Sequence, residues 1–261
     1  MAGTLIDYGV DERGVATVAL NDPASRNALS DELLDELLMR LDEARADRSV
    51  RVVVLTSLDD GVFSSGGNLK AFADDRPFIE KYGELERFPR LFEMLGDLGK
   101  PSLCAVKGDA LAGAFGVALA CDLIVAKQGA RFGCPEINVG AFPFMISALI
   151  YRSVPRAIAN ELMLTGQLIT AEQARELHIV NSVVPPEEFA SEVLRWTDRL
   201  ASRSPLLMQL GKDALSATRD MPLTDALNYL RGQLALAFTT DDMHEGVAAF
   251  RERRAPTWRR R

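Results

Sequence analysis

The chain has 261 residues, 48% of them hydrophobic, and a formal charge of -7 from 30 basic and 37 acidic side chains. That composition supplies a substantial core and excludes global disorder, and its acidic balance argues against general binding of nucleic-acid phosphates. Three cysteines, no signal-peptide pattern at the start and an apolar stretch at 110–126 broken by Asp122 lead to the expectation of a cytoplasmic protein with reduced thiols and no membrane insertion.

Residues 15–20 alternate as a strand, and Asn21-Asp-Pro23 reads as the turn that follows. Ser30 suits a helix N-cap, Asp31 and Glu32 suit its positive end, and Leu33, Leu34, Leu37, Leu38 and Leu41 give the helix a broad apolar face. Residues 50–55 form a buried strand, so the order is strand, helix, strand. After a glycine segment at 63–69, the charged interval 74–83 reads as an exposed loop with some helical content, placed to gate a cleft. A helix over 86–98 ends before Pro101, a strand resumes at 103–106, and a helix over 114–120 follows a second glycine segment. Further strands are predicted at 123–126 and 130–132. The second half reads as helices at 146–151, 155–164, 171–177, 186–201, 205–216 and 223–238, with an extended connector at 180–184. This organisation predicts an α/β core over 1–184 and a helical region over 185–261. The last eleven residues carry six arginines, which either meet a phosphate or form a solvated tail, and Trp258 among them either anchors the tail to a neighbour or caps apolar surface.

Phe63-Ser-Ser-Gly-Gly-Asn-Leu69 and Gly108-Asp-Ala-Leu-Ala-Gly-Ala-Phe-Gly116 each follow an apolar run, and Cys134-Pro-Glu-Ile-Asn-Val-Gly140 comes soon after. If the first two converge, backbone N–H groups near Gly67 and Gly113 would meet on one carbonyl oxygen, with Glu136 as the nearby proton carrier. The plain alternatives are two turn glycines and a solvated loop glutamate. Two histidines, His178 and His244, far from the cysteines in sequence, give no metal-ligand spacing, so no metal is assigned. The glycine segments lack a full dinucleotide or phosphate-loop pattern, and the serines beside Gly66 lack a nucleophile elbow.

Taken together, these segments with Leu20-Asn-Asp-Pro-Ala-Ser-Arg-Asn-Ala-Leu29, Leu164-Thr-Gly-Gln-Leu-Ile-Thr-Ala171 and Asp241-Asp-Met-His-Glu-Gly-Val-Ala-Ala-Phe250 resemble the enoyl-CoA hydratase/isomerase, or crotonase, family over almost the whole chain. The resemblance implies a spiral of repeated ββα units followed by helices, assembly as a homotrimer or a dimer of trimers, and an acyl-CoA thioester as substrate. CoA would then be part of the substrate, with no separate cofactor. By position, the amides of Gly67 and Gly113 resemble the oxyanion pair and Glu136 a catalytic acid. Arg26, Ser64, Ser65, Gly67, Asn68 and Leu69 lie in segments that resemble the CoA-binding ones, the serines through backbone groups.

The chain also departs from the pattern. Two-acid hydratases carry a second glutamate where this sequence has Gly116, and Asn68 replaces a position that is commonly acidic. Phe142 and Phe144 stand where many hydratases have small residues, and either shape an acyl pocket or fill core. One carboxylate suffices to move a proton between two carbons, so the resemblance implies Δ3 to Δ2 enoyl-CoA isomerisation first. A hydratase with a non-standard acid/base arrangement and a catalytically weak acyl-CoA-binding or assembly protein are the alternatives. The neighbours Cys134, Pro135, Ile137 and Val139 predict a raised Glu136 pKa.

Overall fold

The structure is a computed structural model that describes residues 4–67 and 77–259. Its core winds through repeated turns, each laying one strand in a large sheet, one in a small sheet, and then a helix. The first turn is a variant, with β1 (Ile6–Val10) and β2 (Val15–Leu20) paired antiparallel in the large sheet before α1 (Asp31–Ala46). The next places β3 (Val52–Ser57) in the large sheet and β4 (Val62–Ser64) in the small one, ahead of α2 (Phe78–Glu84) and α3 (Arg87–Gly96). Strands β5 (Ser102–Val106) and β6 (Asp109–Leu111) with α4 (Gly113–Ala120) repeat it. So do β7 (Leu123–Lys127) and β8 (Arg131–Gly133) with α5 (Phe144–Ser153).

The chain then runs through α6 (Arg156–Thr165), β9 (Ile169–Thr170), α7 (Ala171–Glu176) and β10 (Ser182–Val184). It finishes with α8 (Phe189–Ala201), α9 (Pro205–Thr218), α10 (Leu223–Ala237) and α11 (Asp241–Glu252). The extended connector is therefore a sheet strand, with Val183 opposite Ala126 of β7.

The large sheet has the order β1-β2-β3-β5-β7-β10, parallel from β2 onward. Its central strands are continuous apolar runs because both faces are covered. Val53, Leu55, Cys104 and Val106 face the main core, where Leu33, Leu37 and Leu41 of α1 join them. Val52, Val54, Leu103 and Val125 face the other way, under Phe189, Trp196 and Leu200 of α8. Ser30 caps α1 by accepting a hydrogen bond from the Leu33 amide at 3.2 Å. Cys104, Cys121 and Cys134 are buried free thiols. Among the described residues no helix is long and apolar enough to cross a membrane.

The helical end is tied to the sheet by charge. Lys212 of α9, buried, donates to Asp122 Oδ2 at 2.6 Å, and that oxygen also accepts from the Ser102 amide (2.7 Å) and hydroxyl (2.8 Å) at the start of β5. The tail folds back rather than hanging free. Arg254 grips Glu245 at 2.6 and 3.0 Å, and the Trp258 ring nitrogen donates to the Ser202 carbonyl at 2.7 Å while its ring lies over Gly246. Arg260 and Arg261 lie outside the described residues. Replacing Lys212 by methionine removes one of the three hydrogen bonds to Asp122 Oδ2 while those from Ser102 remain, and a loss of about 1–3 kcal/mol in chemical denaturation is expected.

Candidate active site

The small sheet has the order β4-β6-β8-β9, and its first three strands are parallel neighbours. Parallel neighbours release their chains at the same edge, about 5 Å apart, and the C-terminal edge of parallel strands is where α/β folds place ligands. From β4 issues Ser65-Gly66-Gly67, from β6 Ala112-Gly113, and from β8 Cys134-Pro135-Glu136. The three segments singled out in the sequence thus leave side by side.

Contact between the first two is close. Gly66 has φ +91°, and a Cβ there would stand 2.5 Å from Ala112 Cβ and 2.6 Å from the Leu111 carbonyl oxygen. Ala112, at φ 53° and ψ −129°, adopts a backbone conformation unfavourable for a residue with a side chain, and its amide donates to the Gly133 carbonyl of β8 at 2.8 Å. That turn makes Gly113 the first residue of α4, where the leading amides have no carbonyl one turn back to meet and the helix presents its positive end. Gly113 is crowded on its α-carbon, since a Cβ would lie 2.9 Å from Phe88 Cε1 and 3.3 Å from Leu29 Cδ1. Leu29 also reaches the other segment, bridging Gly67 in parallel and donating its amide to the Gly66 carbonyl at 2.8 Å.

Glu136 lies in a 3-10 turn, Pro135–Val139, that follows β8. It is partly exposed, yet its Oε2 atom is buried and, among the described residues, has no hydrogen-bond partner. Burial pushes its pKa above the ordinary carboxyl value, while its own backbone amide pulls the other way. Cys134, wholly buried next to it, is pushed up to about 12 by burial and then by the Glu136 charge. The source of the desolvation differs from the sequence expectation. Of the flanking residues named there, Ile137 and Val139 are themselves exposed and only Cys134 is buried, so Ile137 and Val139 do not form the apolar surrounding that the sequence suggests.

The position matching the second hydratase glutamate is closed by hydrocarbon. A Cβ on Gly116 would run into Ile146 Cγ2 of α5, with Phe92 Cζ of α3 at 3.0 Å. Phe92 in turn meets Phe88 with ring centres 6.1 Å apart. No sequence signal identified Ile146, because 30 residues separate it from Gly116 and only the packing of α4 on α5 brings them together.

The other sequence candidates are placed as follows. Arg26 is exposed in a left-handed turn, φ 59°. Ser64 is buried with its hydroxyl donating to the Asn27 carbonyl at 2.6 Å, and the Ser65 amide donates to the Arg26 carbonyl at 3.1 Å. Asn68 and Leu69 fall outside the described residues, as does the start of the proposed gating loop, whose later part forms α2. Phe142 packs on the core, while Phe144, 5.0 Å away ring to ring, is mostly solvent-exposed.

Comparison with known proteins agrees with this architecture. The family model for enoyl-CoA hydratase/isomerase matches residues 11–261. A putative enoyl-CoA hydratase of Thermus thermophilus is 37% identical over 250 residues, covering 95% of this chain and 98% of that one. The 2,3-dehydroadipyl-CoA hydratase of Escherichia coli is 34% identical over 251 residues, covering 96% and 97%. The crystal structure of an enoyl-CoA hydratase from Mycobacterium smegmatis superposes with a TM-score of 0.94 at 30% identity, over 98% of this chain and 99% of that one. The chain belongs to the enoyl-CoA hydratase/isomerase family, with the α/β crotonase fold of repeated ββα turns and C-terminal helices.

The contact between the two glycine segments gives a direct test. Gly66→Ala combines a left-handed backbone with a collision against Ala112, and a loss of about 2–4 kcal/mol is expected in urea denaturation. Gly83→Ala, in open space on α2, should change stability by about 1 kcal/mol at most.

Proposed function

We propose that this chain is an acyl-CoA isomerase that shifts a double bond from the Δ3 to the Δ2 position by way of a thioester enolate. The observation that carries the reading is the hydrocarbon plug at Gly116. Hydration in the two-acid manner uses a second carboxylate at that position, and here Ile146 and Phe92 occupy its space. Migration of a double bond consumes no water and needs only one base. In this scheme the Gly67 and Gly113 amides donate to the thioester oxygen, and the Glu136 carboxylate removes a proton from the α carbon. The electron pair spreads over the α–β–γ carbons and the oxygen as a dienolate. The Glu136 carboxylic acid then returns the proton to the γ carbon, so the double bond closes between α and β and the base is regenerated. CoA enters as the thiol half of the thioester and stays attached throughout, with Arg26, Ser65, Asn68 and Leu69 along its proposed path; Ser64, wholly buried with its hydroxyl on the Asn27 carbonyl, is not exposed to it. Hydration with a different acid/base arrangement is the second reading, supported by the hydratase names of the similar proteins.

An NMR assay with 3-enoyl-, 2-enoyl- and 3-hydroxyacyl-CoAs separates the two. The expected result is double-bond migration without hydroxyacyl product, and a fall of about 10²- to 10⁴-fold in kcat for Glu136→Gln. Reversible formation of the 3-hydroxyacyl thioester would select hydration. Gly116→Glu alone should gain no hydratase activity because Ile146 blocks it, and any gain should require Ile146→Gly as well.

The pH dependence follows from the raised pKa. The base form of Glu136 appears only as pH rises through that value, so the acidic limb of kcat/KM should lie above the ordinary glutamate value of 4.5 and vanish in Glu136→Gln. A folded carboxyl with a raised pKa destabilises the fold once it ionises. Glu136→Gln should therefore gain in melting temperature relative to the parent at neutral pH, and this gain should shrink as pH falls through the raised folded-state value and be gone below the unfolded-state one.

Assembly as a trimer or a dimer of trimers is supported by α10, which buries no residue yet exposes Leu223, Leu227 and Leu234 along one stripe. Sedimentation should give three or six chains per particle, and Leu227→Asp should shift the mass toward the single chain.

A further inference from the structure

Asn27 lies at the bottom of the turn between β2 and α1, fully buried, with φ 52°, a left-handed conformation that asparagine tolerates better than most residues. Its side chain is completely engaged. Oδ1 accepts from the Asp22 amide at 2.7 Å, and Nδ2 donates to Ser57 Oγ at 2.9 Å and to the Phe63 carbonyl at 3.0 Å. Its backbone amide donates to the Asp22 carbonyl at 2.8 Å, and its carbonyl accepts from the Ser64 hydroxyl at 2.6 Å. One residue thus joins the turn after β2, the end of β3 and the last two residues of β4.

These bonds hold residues 26–29 alongside 63–67. The Ser65 amide meets the Arg26 carbonyl and the Leu29 amide meets the Gly66 carbonyl, at 3.1 and 2.8 Å. The Ser64 hydroxyl also accepts from the Gly66 amide at 3.1 Å, so the glycine turn is braced from the same side. Leu29 ends this short ladder with its backbone bridged to Gly67 and its Cδ1 against the α-carbon side of Gly113. A shift of Asn27 therefore passes through Leu29 to both amides at once. Donors that stabilise a developing oxyanion tolerate only a few tenths of an ångström, because their preferred distances lie between about 2.7 and 3.1 Å.

We propose that Asn27 is a positioning residue that sets the separation of the Gly67 and Gly113 amides through Leu29. The inference rests on the reading that these amides bind the thioester oxygen. Asparagine is required, and aspartate will not serve, because both nitrogen protons are spent on oxygens. A carboxylate of the same shape would set oxygen against the Phe63 carbonyl in a buried site, and would keep the Ser57 contact only by drawing that hydroxyl's proton away from the Val62 carbonyl.

The test uses hexanoyl-CoA labelled with carbon-13 at the thioester carbonyl, a saturated probe with no double bond to move, bound to the full chain and followed by difference infrared spectroscopy. Melting temperature and steady-state kinetics on a 3-enoyl-CoA are measured alongside. In the parent protein the carbonyl band should move to lower frequency than in free hexanoyl-CoA. In Asn27→Asp the band should return by about half or more toward the free position, with kcat down about 10- to 100-fold and KM within about 3-fold. Ser64→Ala, which keeps the Asn27 side chain and removes one brace, should give an intermediate return. Lys212→Met, which weakens the fold at the start of β5, should lower the melting temperature and leave the band in place. A full band shift retained in Ser64→Ala and in any folded Asn27→Asp protein overturns the inference, as does a band that tracks melting temperature equally in Lys212→Met. Failure of the parent protein itself to move the band overturns the underlying reading, and the inference with it.

Discussion

Three short parallel strands, β4, β6 and β8, end beside one another, and the arrangement of the proposed centre depends on that one constraint. Neighbouring strands lie about 5 Å apart, close enough for the amides leaving two of them to share one oxygen and for the side chain leaving the third to stand over the adjoining carbons. Each strand has three residues, too few to hold register by itself. Register comes from the large sheet, whose strands alternate with them along the chain, and from the turns that must connect the two. Close approach of the glycine segments, with Gly66 against Ala112 and Gly108 against the Gly61–Val62 peptide, is the packing consequence.

The chemistry follows from what surrounds these strand ends. One carboxylate oxygen of Glu136 is buried, and burial raises its affinity for a proton; in the proposed reaction it carries that proton from carbon to carbon. Across α4, Ile146, Phe92 and Phe88 form a hydrocarbon wall over the positions of Gly116 and Gly113. A two-acid hydratase needs a polar group and a water where this wall stands. On the proposed reading, the side chains that line α4 decide which way the enolate goes on the same backbone frame.

Much of this was legible in the sequence, and the reasons for success and failure are physical. The helix α1 was readable because a serine cap, two acids and a leucine face all agree, and the core strands because both faces of a parallel sheet demand continuous apolar residues. The strands β1 and β6 and the helix α11 were not, since β1 buries only Ile6 of its five residues, the three residues of β6 have no measurable period, and α11 buries only Asp242 and Ala249 along its length. The glycine segments and Glu136 stood out by residue type and order. Ile146 did not, because its role is the absence of room at a distant glycine. Asn27 was quoted within a motif without a role. The available signal was an asparagine after a proline turn and just before a helix cap, a position that calls for left-handed backbone and local hydrogen bonds.

The most direct measurement is a crystal structure with a bound, unreactive acyl-CoA thioether or saturated thioester. The account predicts the acyl oxygen, where the analogue has one, about 2.7–3.1 Å from the amide nitrogens of both Gly67 and Gly113, with a Glu136 carboxylate oxygen facing the α and γ carbons. An acyl oxygen held by other groups, with Glu136 turned away from those carbons, would contradict it.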